Sequence, residues 1–228
     1  MRQGQAELLL FQEPISYATA WELQSRLHRE RVMDVRPDTV LILEHQPVFT
    51  LGRSTKSSDW GGDPALLHAE GAEVHHVNRG GSVTYHGPGQ VVIYPVLRLT
   101  QYARGVKQYV QLLEDVIIHC LHAHGIEGQR REKTPGVWVM APHEAKIASI
   151  GIRVDRGVTM HGIALNVQMD LSPFARITPC GLTDCRVTSM AEVLGRAVSV
   201  ADVRRDLADQ LSALLGIEWL PPALNTET

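Results

Sequence analysis

Residues 146–167, KIASIGIRVDRGVTMHGIALNV, carry the most informative pattern in this chain. Apolar side chains alternate with small or polar ones on both sides of Asp155-Arg156-Gly157, and these three residues are typical of a turn. A period of two residues is the period of a β-strand. The pattern therefore predicts two antiparallel strands, 146–154 and 158–167, that form a hairpin.

The two faces of this hairpin differ. A tight turn centred on Arg156-Gly157 places Ser149 opposite Ala164 and Gly151 opposite Gly162, so that four small residues share one face. The larger side chains take the other face: Ala148, Ile150, Ile152 and Val154 on the first strand, and His161, Ile163, Leu165 and Val167 on the second. Small residues leave backbone uncovered where a ligand or another backbone approaches closely, and they also allow a helix to pack. Both interpretations stay open.

Helix and strand patterns surround the hairpin without a regular strand–helix–strand repeat. Apolar residues recur at helical spacing after Ser16, Ser189 and Ser199, and each of these serines is a possible N-cap. The clearest helix runs from Val106 to Leu121. Strand patterns cover Thr39–Leu43, Val91–Leu97 and Gly136–Met140, and Pro95 predicts an end, a bulge or an edge position in the second of them. The chain is expected to open with a helix and then a strand. The mixture predicts an α+β or mixed α/β fold in one domain, residues 1–228, with about residues 221–228 as a loose tail.

Composition excludes several classes of protein. The 228 residues carry a net charge of −3 and are 44% hydrophobic, which is typical of a soluble globular chain. A pI of about 6.4 gives no basic excess for nucleic acid or an anionic membrane. Neither a secretory signal nor a run of ~20 apolar residues is evident. Three cysteines, an odd number, favour free thiols in a reducing compartment. We expect a cytoplasmic or organellar-matrix protein.

Residues 79–90, RGGSVTYHGPGQ, place reactive side chains among four glycines and a proline. Glycine allows positive φ and exposes main-chain N–H groups to a ligand, and Arg79 and His86 are suited to a polar or anionic substrate group. The stretch has neither the Gly-Lys-Ser/Thr ending of a phosphate loop nor a G-x-G-x-x-G fingerprint. We therefore predict a loop shaped for a ligand, and the alternative is a tight structural turn.

Cys180 is the candidate nucleophile. It lies between Pro179 and Gly181, outside any amphipathic pattern, whereas Cys120 falls on the apolar stripe of the long helix and is expected to fill the core. Cys180 and Cys185 are spaced poorly for a metal pair, and no other cysteine pair completes a set of four ligands. No metal site is predicted.

Taken together, these motifs resemble the lipoyl(octanoyl) transferases, enzymes of lipoate biosynthesis that pass an octanoyl group from acyl carrier protein to a lipoyl domain. The resemblance extends through most of the chain. It rests on Arg79 to Gln90, Gly136 to Val139, Lys146 to Gly151, His161 to Asn166, and Pro179-Cys180-Gly181 followed by Val187 to Met190. It implies the fold of lipoate and biotin protein ligases, a mixed sheet covered by helices.

The resemblance also implies the site. Cys180 matches the nucleophile and Lys146 its partner. The acyl-substrate site is implied to comprise Arg79, Gly80, Gly81, Ser82, Val83, Thr84, Tyr85, His86, Ser149, Ile150, Gly151, Gly162, Ile163 and Ala164. No cofactor is implied. The implied partners are octanoyl-acyl carrier protein as donor, and lipoyl domains of 2-oxoacid dehydrogenases and the glycine cleavage H protein as acceptors.

The chemistry of such a pair is simple. Attack by a thiolate exchanges one thioester for another, and attack by an acceptor lysine then forms an amide, so no ATP is required. A thiol near pKa 8.5 is mostly neutral at pH 7, and an ammonium beside it favours the thiolate. Lys146 could supply that ammonium and later act as base toward the incoming amine. Ping-pong kinetics are expected, and the small-residue face of the hairpin would form a trough for the acyl chain.

Two alternatives to this function remain. The strongest is an ATP-dependent lipoate or biotin ligase on the same fold, and another is a non-catalytic module that binds acyl carriers or lipoyl domains. Arg130-Arg131 with Lys133 is a candidate docking patch for the partners, which are acidic by family analogy, but a solvated loop is the favoured interpretation of these charges. Cys185 could form an inactivating disulfide with Cys180, or it could be an inert thiol.

Overall fold

An eight-stranded mixed sheet forms the centre of the part of the chain that this computed structural model describes, residues 4–68, 71–140, 143–178 and 185–221. Together with a smaller sheet, the strands are β1 (Gly4–Leu10), β2 (Asp38–Leu43), β3 (Val48–Leu51), β4 (Glu73–His76), β5 (Val83–His86), β6 (Gln90–Val96), β7 (Gln129–Arg131), β8 (Thr134–Val139), β9 (Ala145–Asp155), β10 (Val158–Asn166) and β11 (Ile217–Trp219). The large sheet has the order β11-β1-β2-β6-β10-β9-β8-β7, and the small sheet has the order β4-β3-β5. In the large sheet only β1 pairs in parallel, with β11 and β2. The predicted mixed, largely antiparallel fold is confirmed.

Helices cover both faces of the large sheet. They are α1 (Tyr17–Val32), α2 (Pro64–His68), α3 (Leu99–Tyr102), α4 (Val106–Ala123), α5 (Met190–Leu194) and α6 (Val200–Leu215), with 3₁₀ turns at Ser57–Asp59 and Ser172–Arg176. The predicted N-caps are confirmed, because the hydroxyls of Ser16, Ser189 and Ser199 each accept a backbone N–H from the first turn. None of the helices within the described ranges combines the length and apolarity that a membrane crossing requires.

The predicted hairpin is also confirmed. β9 and β10 pair with Gly151 opposite Gly162 and Ser149 opposite Ala164. Arg156 and Gly157 have φ of 48° and 78°, the positive values that a two-residue turn of this twist requires. Local turn chemistry therefore sets the register that brings the four small residues together.

Each face of the large sheet is covered by its own hydrophobic layer. On one face, residues of α4 and α6 form the main core with β6, β9 and β10, and Cys120 is fully buried in it as predicted. On the other face, Ala20 and Leu27 of α1 pack with Tyr94 and Ala164. This second face, where the small residues of the hairpin lie, is the one that meets the small sheet.

Two expectations are wrong, and a third is confirmed in part. The described chain opens with β1 rather than with a helix, and its pairing with β11, more than 200 positions away, carries no local signal. Residues 83–86, predicted as loop, form β5. Pro95 is the last residue but one of β6, as predicted by the alternative of a strand end, but β6 is a central strand between β2 and β10 and not an edge strand. The pairing of β6 with β10 ends at Ile93 and Ile163, before Pro95, which donates no N–H. His161 of β10 has φ of 56°, and its N–H donates to Gln24 Oε1 at 2.9 Å.

Candidate active site

A cavity of about 640 Å³ lies where the glycine-rich loop, the hairpin and the amino terminus of α1 meet. Its volume is in the range of small-molecule sites. Of the residues predicted for substrate binding, it is lined by Arg79, Gly80, Gly81, Ser82, Val83, Thr84, His86, Ser149, Ile150, Gly151, Gly162, Ile163 and Ala164, and Lys146 lines it too. Tyr85 is absent from this lining, and its ring packs against Phe49 and Phe174 instead.

Lys146 reaches the cavity because of a β-bulge. Strict alternation along β9 would place Lys146 on the same face as Ala148, away from Ser149. The register shifts, however, so that Val137 opposes Ala148 while Trp138 opposes Lys146. Ile147 and Ala148 consequently both enter the main core, and Lys146 and Ser149 both line the cavity. Bulges commonly re-aim side chains in this way beside active sites.

Cys180 lies outside the described residues, together with the rest of segment 179–184. The described residues on either side of that segment are attached to the cavity wall. The N–H of Thr178 donates to the carbonyl of Asp59 at 2.7 Å, and Asp59 lines the cavity. On the other side, the carbonyl of Arg186 accepts the N–H of Lys146 at 2.8 Å, and the N–H of Thr188 donates to the carbonyl of Lys146 at 3.0 Å. Both flanks of the segment therefore meet the cavity.

The glycine-rich loop explains part of the small-residue face. The N–H of Gly80 donates to the carbonyl of Ile152 at 3.0 Å, and a Cβ at Gly151 would lie 2.9 Å from the carbonyl oxygen of Gly80. A Cβ at Gly162 would lie only 2.1 Å from the carbonyl oxygen of Ile93. Close approach of another backbone, one of the interpretations left open, thus accounts for both glycines. Ser149 and Ala164 remain as the small side chains of the hairpin that border the cavity.

Arg79 holds this loop against the small sheet. Its Nε and Nη2 donate to Thr50 Oγ1 at 3.2 and 2.8 Å, Nη2 also donates to the carbonyl of Thr50 at 2.6 Å, and Nη1 donates to the carbonyl of Gly80 at 3.0 Å. These contacts use four of the five N–H groups of the guanidinium. Arg79 therefore has a structural role in holding the loop, and it also lines the cavity.

A buried chain of hydrogen bonds continues from Thr50 to the residues beside Lys146. Thr50 Oγ1 lies 3.5 Å from His86 Nε2, and His86 Nδ1 donates to Gln90 Oε1 at 2.7 Å. Gln90 Nε2 donates to Asn166 Oδ1, and Asn166 Nδ2 donates to the carbonyl of Thr188, each at 2.9 Å. The polar residues of three sequence motifs thus form one connected network, which links the glycine-rich loop to the backbone that holds Lys146.

Comparison with known proteins identifies the family. A family model, the lipoyl protein ligase A/B catalytic domain, matches residues 16–212. An octanoyltransferase from Thermobifida fusca is 45% identical over 212 residues, which are 91% of this chain and 87% of that protein. One from Rubrobacter xylanophilus is 45% identical over 202 residues, 88% and 89% of the two chains. The chain belongs to the octanoyltransferase family.

Solved structures of lipoate and biotin protein ligases share the fold of this member of the octanoyltransferase family. A bi-partite lipoate protein ligase from Thermoplasma acidophilum superposes with a TM-score of 0.73 at 16% identity, covering 98% of this chain and 88% of that one. A biotin protein ligase from Aquifex aeolicus gives 0.57 at 17% identity, covering 92% and 70%. The predicted relation to lipoate and biotin protein ligases is confirmed at the level of the fold, and family membership makes the chain an acyltransferase.

The predicted docking patch of this octanoyltransferase-family chain is largely neutralised. Arg130 pairs with Glu114 at 2.9 Å and with Asp115 at 2.5 Å, and Arg131 lies 3.3 Å from Glu144. Lys133 is exposed and lines the cavity. Arg130 and Arg131 lie in the edge strand β7 rather than in a loop, and their ion pairs favour a solvated structural surface over a docking patch.

Pattern-based reasoning missed Asp59. The residue is buried, and its carboxylate accepts hydrogen bonds from the Ser82 hydroxyl and from the N–H of Lys56, the latter at 3.0 Å. Burial alone would raise the pKa of Asp59, but these hydrogen bonds outweigh burial and hold the pKa below its usual value. Asp59 therefore joins the glycine-rich loop to Thr178. Nothing in the surrounding sequence, Lys56-Ser57-Ser58-Asp59-Trp60, indicates this role.

Neutral histidines form the inner part of the site. Burial lowers the pKa of His45 to about 4, and burial with the nearby charge of Arg79 lowers the pKa of His161 to about 3. His86 is also held well below its usual pKa, mainly by burial. The carbonyl of Ile15 fixes the tautomer of His45, since Nδ1 donates to it at 3.2 Å and Nε2 then accepts the Tyr94 hydroxyl at 2.8 Å.

These histidines predict a pH-dependent stability. Because the folded pKa values of His45 and His161 lie below the unfolded value, only the unfolded chain takes up protons between about pH 6.5 and 4. Their contribution is complete above pH 6.5 and is lost as the pH falls. We expect the free energy of unfolding to drop by at least about 4 kcal/mol between pH 7 and pH 5, about 2 kcal/mol from each of these two residues, with a further loss from His86, whose pKa is also lowered.

Urea denaturation at the two pH values measures this drop. His161→Gln keeps a neutral donor for Asn78, which accepts from His161 Nε2 at 2.7 Å in the native protein, and is expected to reduce the drop between pH 7 and pH 5 by about 2 kcal/mol. His122→Gln, at a side chain that is 73% exposed, is the control and should leave the pH dependence unchanged. Equal stability of the native protein at pH 5 and pH 7 would contradict the assignment of buried neutral imidazoles.

Proposed function

We propose that this protein transfers an octanoyl group from octanoyl-acyl carrier protein to a lysine of lipoyl domains, through a thioester on Cys180. Membership of the octanoyltransferase family supports octanoyl transfer in protein lipoylation. The observation that carries the mechanism is the position of Lys146, which lines the cavity and is bonded through its backbone to Arg186 and Thr188, just after the segment that contains Cys180.

Chain geometry limits how far Cys180 can lie from this site. Thr178 is bonded to Asp59, a residue of the cavity wall. Consecutive Cα atoms are 3.8 Å apart, so the Cα of Cys180 is at most about 8 Å from the Cα of Thr178. This constraint supports a thiol near the part of the cavity wall that Asp59 forms.

The proposed reaction has two steps. In the first, the Cys180 thiolate attacks the carbonyl carbon of the octanoyl thioester, a new carbon–sulfur bond forms, and the carrier's thiolate leaves and takes a proton from the Lys146 ammonium, which becomes a neutral amine. In the second, the acceptor lysine's amine attacks the Cys180 thioester, an amide bond forms, and Cys180 leaves as thiolate. Lys146 stabilises the thiolate as an ammonium in the first step and takes up the amine's proton in the second.

The acyl chain is proposed to lie along the hairpin, next to Ala164 and Ser149. Burial of each methylene contributes about 0.8 kcal/mol, so depth alone can select chain length. Ala164 is 5% exposed, borders the cavity and packs with the α1 layer.

Added bulk at Ala164 is expected to shorten the accepted chain. Ala164→Leu should lower kcat/KM for octanoyl relative to hexanoyl carrier protein by about tenfold, which corresponds to loss of roughly two buried methylenes. Ala201→Leu, at an exposed position of α6, is the matched control. If a folded Ala164→Leu protein kept the native chain-length preference, the acyl chain would not lie along this hairpin. Gly162→Val is unsuitable for the same test, since its Cβ would collide with Ile93 and destabilise the sheet.

A comparison of donors separates this function from its main rival. Octanoyl-acyl carrier protein without ATP should support transfer to a lipoyl domain, whereas free octanoate with ATP and Mg²⁺ should not. Transfer from free octanoate with ATP and Mg²⁺, but not from octanoyl-acyl carrier protein, would show that the protein is an ATP-dependent ligase. Binding of the carrier with no transfer from either donor would assign the non-catalytic module.

A further inference from the structure

Trp138 is the residue of β8 that opposes Lys146 across the bulge. Its side chain is 1% exposed, and the Lys146 Nζ lies 5.4 Å from the centroid of the indole. A lysine ammonium within about 6 Å of an aromatic centroid is attracted by the negative face of the ring. Trp138 does not line the cavity. Its contact is therefore with the lysine rather than with a ligand in the cavity.

Gly136 completes the surroundings of the same lysine. A Cβ at Gly136 would lie 2.5 Å from Lys146 Cε and 3.1 Å from Nζ. The φ of Gly136 is 126°, a conformation that disfavours any other residue. Alternation along β8 places Gly136 and Trp138 on one face. The lysine side chain therefore passes over the glycine and ends at the indole, in a slot formed by two residues of one strand.

The indole is itself held in place. The guanidinium of Arg131 lies 4.9 Å from the ring centroid, and Glu144 lies 3.3 Å from that guanidinium. Among the described residues, the indole Nε1 has no hydrogen-bond partner. Burial of an unpaired N–H is unfavourable, so a tryptophan is a poor choice here for packing alone. Two of the contacts that the ring makes are with the cations of Arg131 and Lys146.

We propose that Trp138 is a positioning residue that holds the ammonium of Lys146 where it stabilises the Cys180 thiolate. This inference rests on the proposed function of Cys180 and Lys146. A lysine side chain has four rotatable bonds, so the contacts along its stem and at its ammonium determine where its charge lies. The π face attracts the ammonium form specifically, and the slot over Gly136 restricts the stem.

Two variants of Trp138 test the inference. Trp138→Phe keeps a π face, and Trp138→Met keeps an apolar, flexible side chain without one. The readouts are kcat and KM for octanoyl transfer, and the rate of iodoacetamide alkylation of Cys180 at pH 7, followed by peptide mass spectrometry. We expect Trp138→Met to lower kcat and the alkylation rate at least tenfold with KM within twofold, and Trp138→Phe to retain most of both. Trp219→Leu, outside the cavity lining, is the control.

A measurement on the unsubstituted protein keeps the test decisive if a variant does not fold. The ε-methylene protons of Lys146, assigned by their loss in Lys146→Arg, are expected to show an upfield ring-current shift relative to the other lysines. No such shift, or equal alkylation rates in folded Trp138→Met and native protein, would overturn the inference. If kcat and the alkylation rate fell equally in Trp138→Phe and Trp138→Met, the inference would also be overturned, because Trp138 would then act through packing and not through its π face. If Cys180 is acylated in the native protein while Trp138→Met is unaffected, the inference fails and the proposed function stands.

Discussion

Replacement of Cys180 by serine is expected to lower octanoyl transfer by on the order of 10⁴-fold or more, the scale seen when an enzyme loses its nucleophile. A serine hydroxyl is far less ionised than a thiol at pH 7, and the ammonium of Lys146 is suited to stabilising a thiolate rather than to removing a proton from an alcohol. The measurement is the steady-state rate of transfer from octanoyl-acyl carrier protein to a lipoyl domain.

Cys185→Ser is the matched control for this prediction. Cys185 is half-buried and lies beside Arg186, and the proposed mechanism does not use its thiol. We expect this variant to transfer octanoyl at the native rate. Transfer by Cys180→Ser within tenfold of native would show that Cys180 is not the nucleophile.

Lys146→Ala is expected to slow both half reactions by about 10²- to 10⁴-fold, because one amine serves as the thiolate's counter-ion and then as the base. The fold should survive, since the backbone hydrogen bonds of Lys146 to Arg186 and Thr188 do not involve the side chain. Rapid-quench measurement of acyl-enzyme formation, and of acyl transfer from preformed acyl-enzyme, separates the two steps.

Lys107→Ala, on an exposed position of α4, is the control for loss of a lysine. If Lys146→Ala slowed only the second half reaction, the residue would be a base and not a partner of the thiolate. If neither step slowed, the pairing of Lys146 with Cys180 would be wrong.

Local signals made the hairpin and the helix ends predictable. Period-two alternation and Asp155-Arg156-Gly157 set the register of β9 and β10, and serines at the N-caps mark three helices. These features depend on neighbours in the chain, so a sequence pattern carries them. By contrast, β1 is a strand because it pairs with β2 and β11, and its own residues show only a short apolar run.

The site required information that no local pattern holds. Alternation alone places Lys146 on the wrong face, and only the bulge opposite Trp138 corrects this. The links of Thr188 to Asn166 and of Thr178 to Asp59 join segments that are far apart in sequence. The sequence motifs therefore predicted Lys146 and most residues of the cavity, but they did not predict the contacts that orient these side chains.

The small-residue face shows the same limit. The register of the hairpin was predictable, and the sequence predicted that small residues accommodate either a ligand or another backbone. The structure shows that the two glycines and the two other small residues differ in this respect. Gly162 and Gly151 accommodate backbone carbonyls of Ile93 and Gly80, whereas Ala164 and Ser149 border the cavity. Three-dimensional contact distances were needed to make that division.

The most direct test is the intact mass of the native protein after mixing with octanoyl-acyl carrier protein in the absence of an acceptor. The account predicts a single octanoyl adduct that maps to Cys180, is released by hydroxylamine, and disappears when a lipoyl domain is added. An adduct on another residue, or complete transfer to the lipoyl domain with no covalent intermediate at any time, would contradict it.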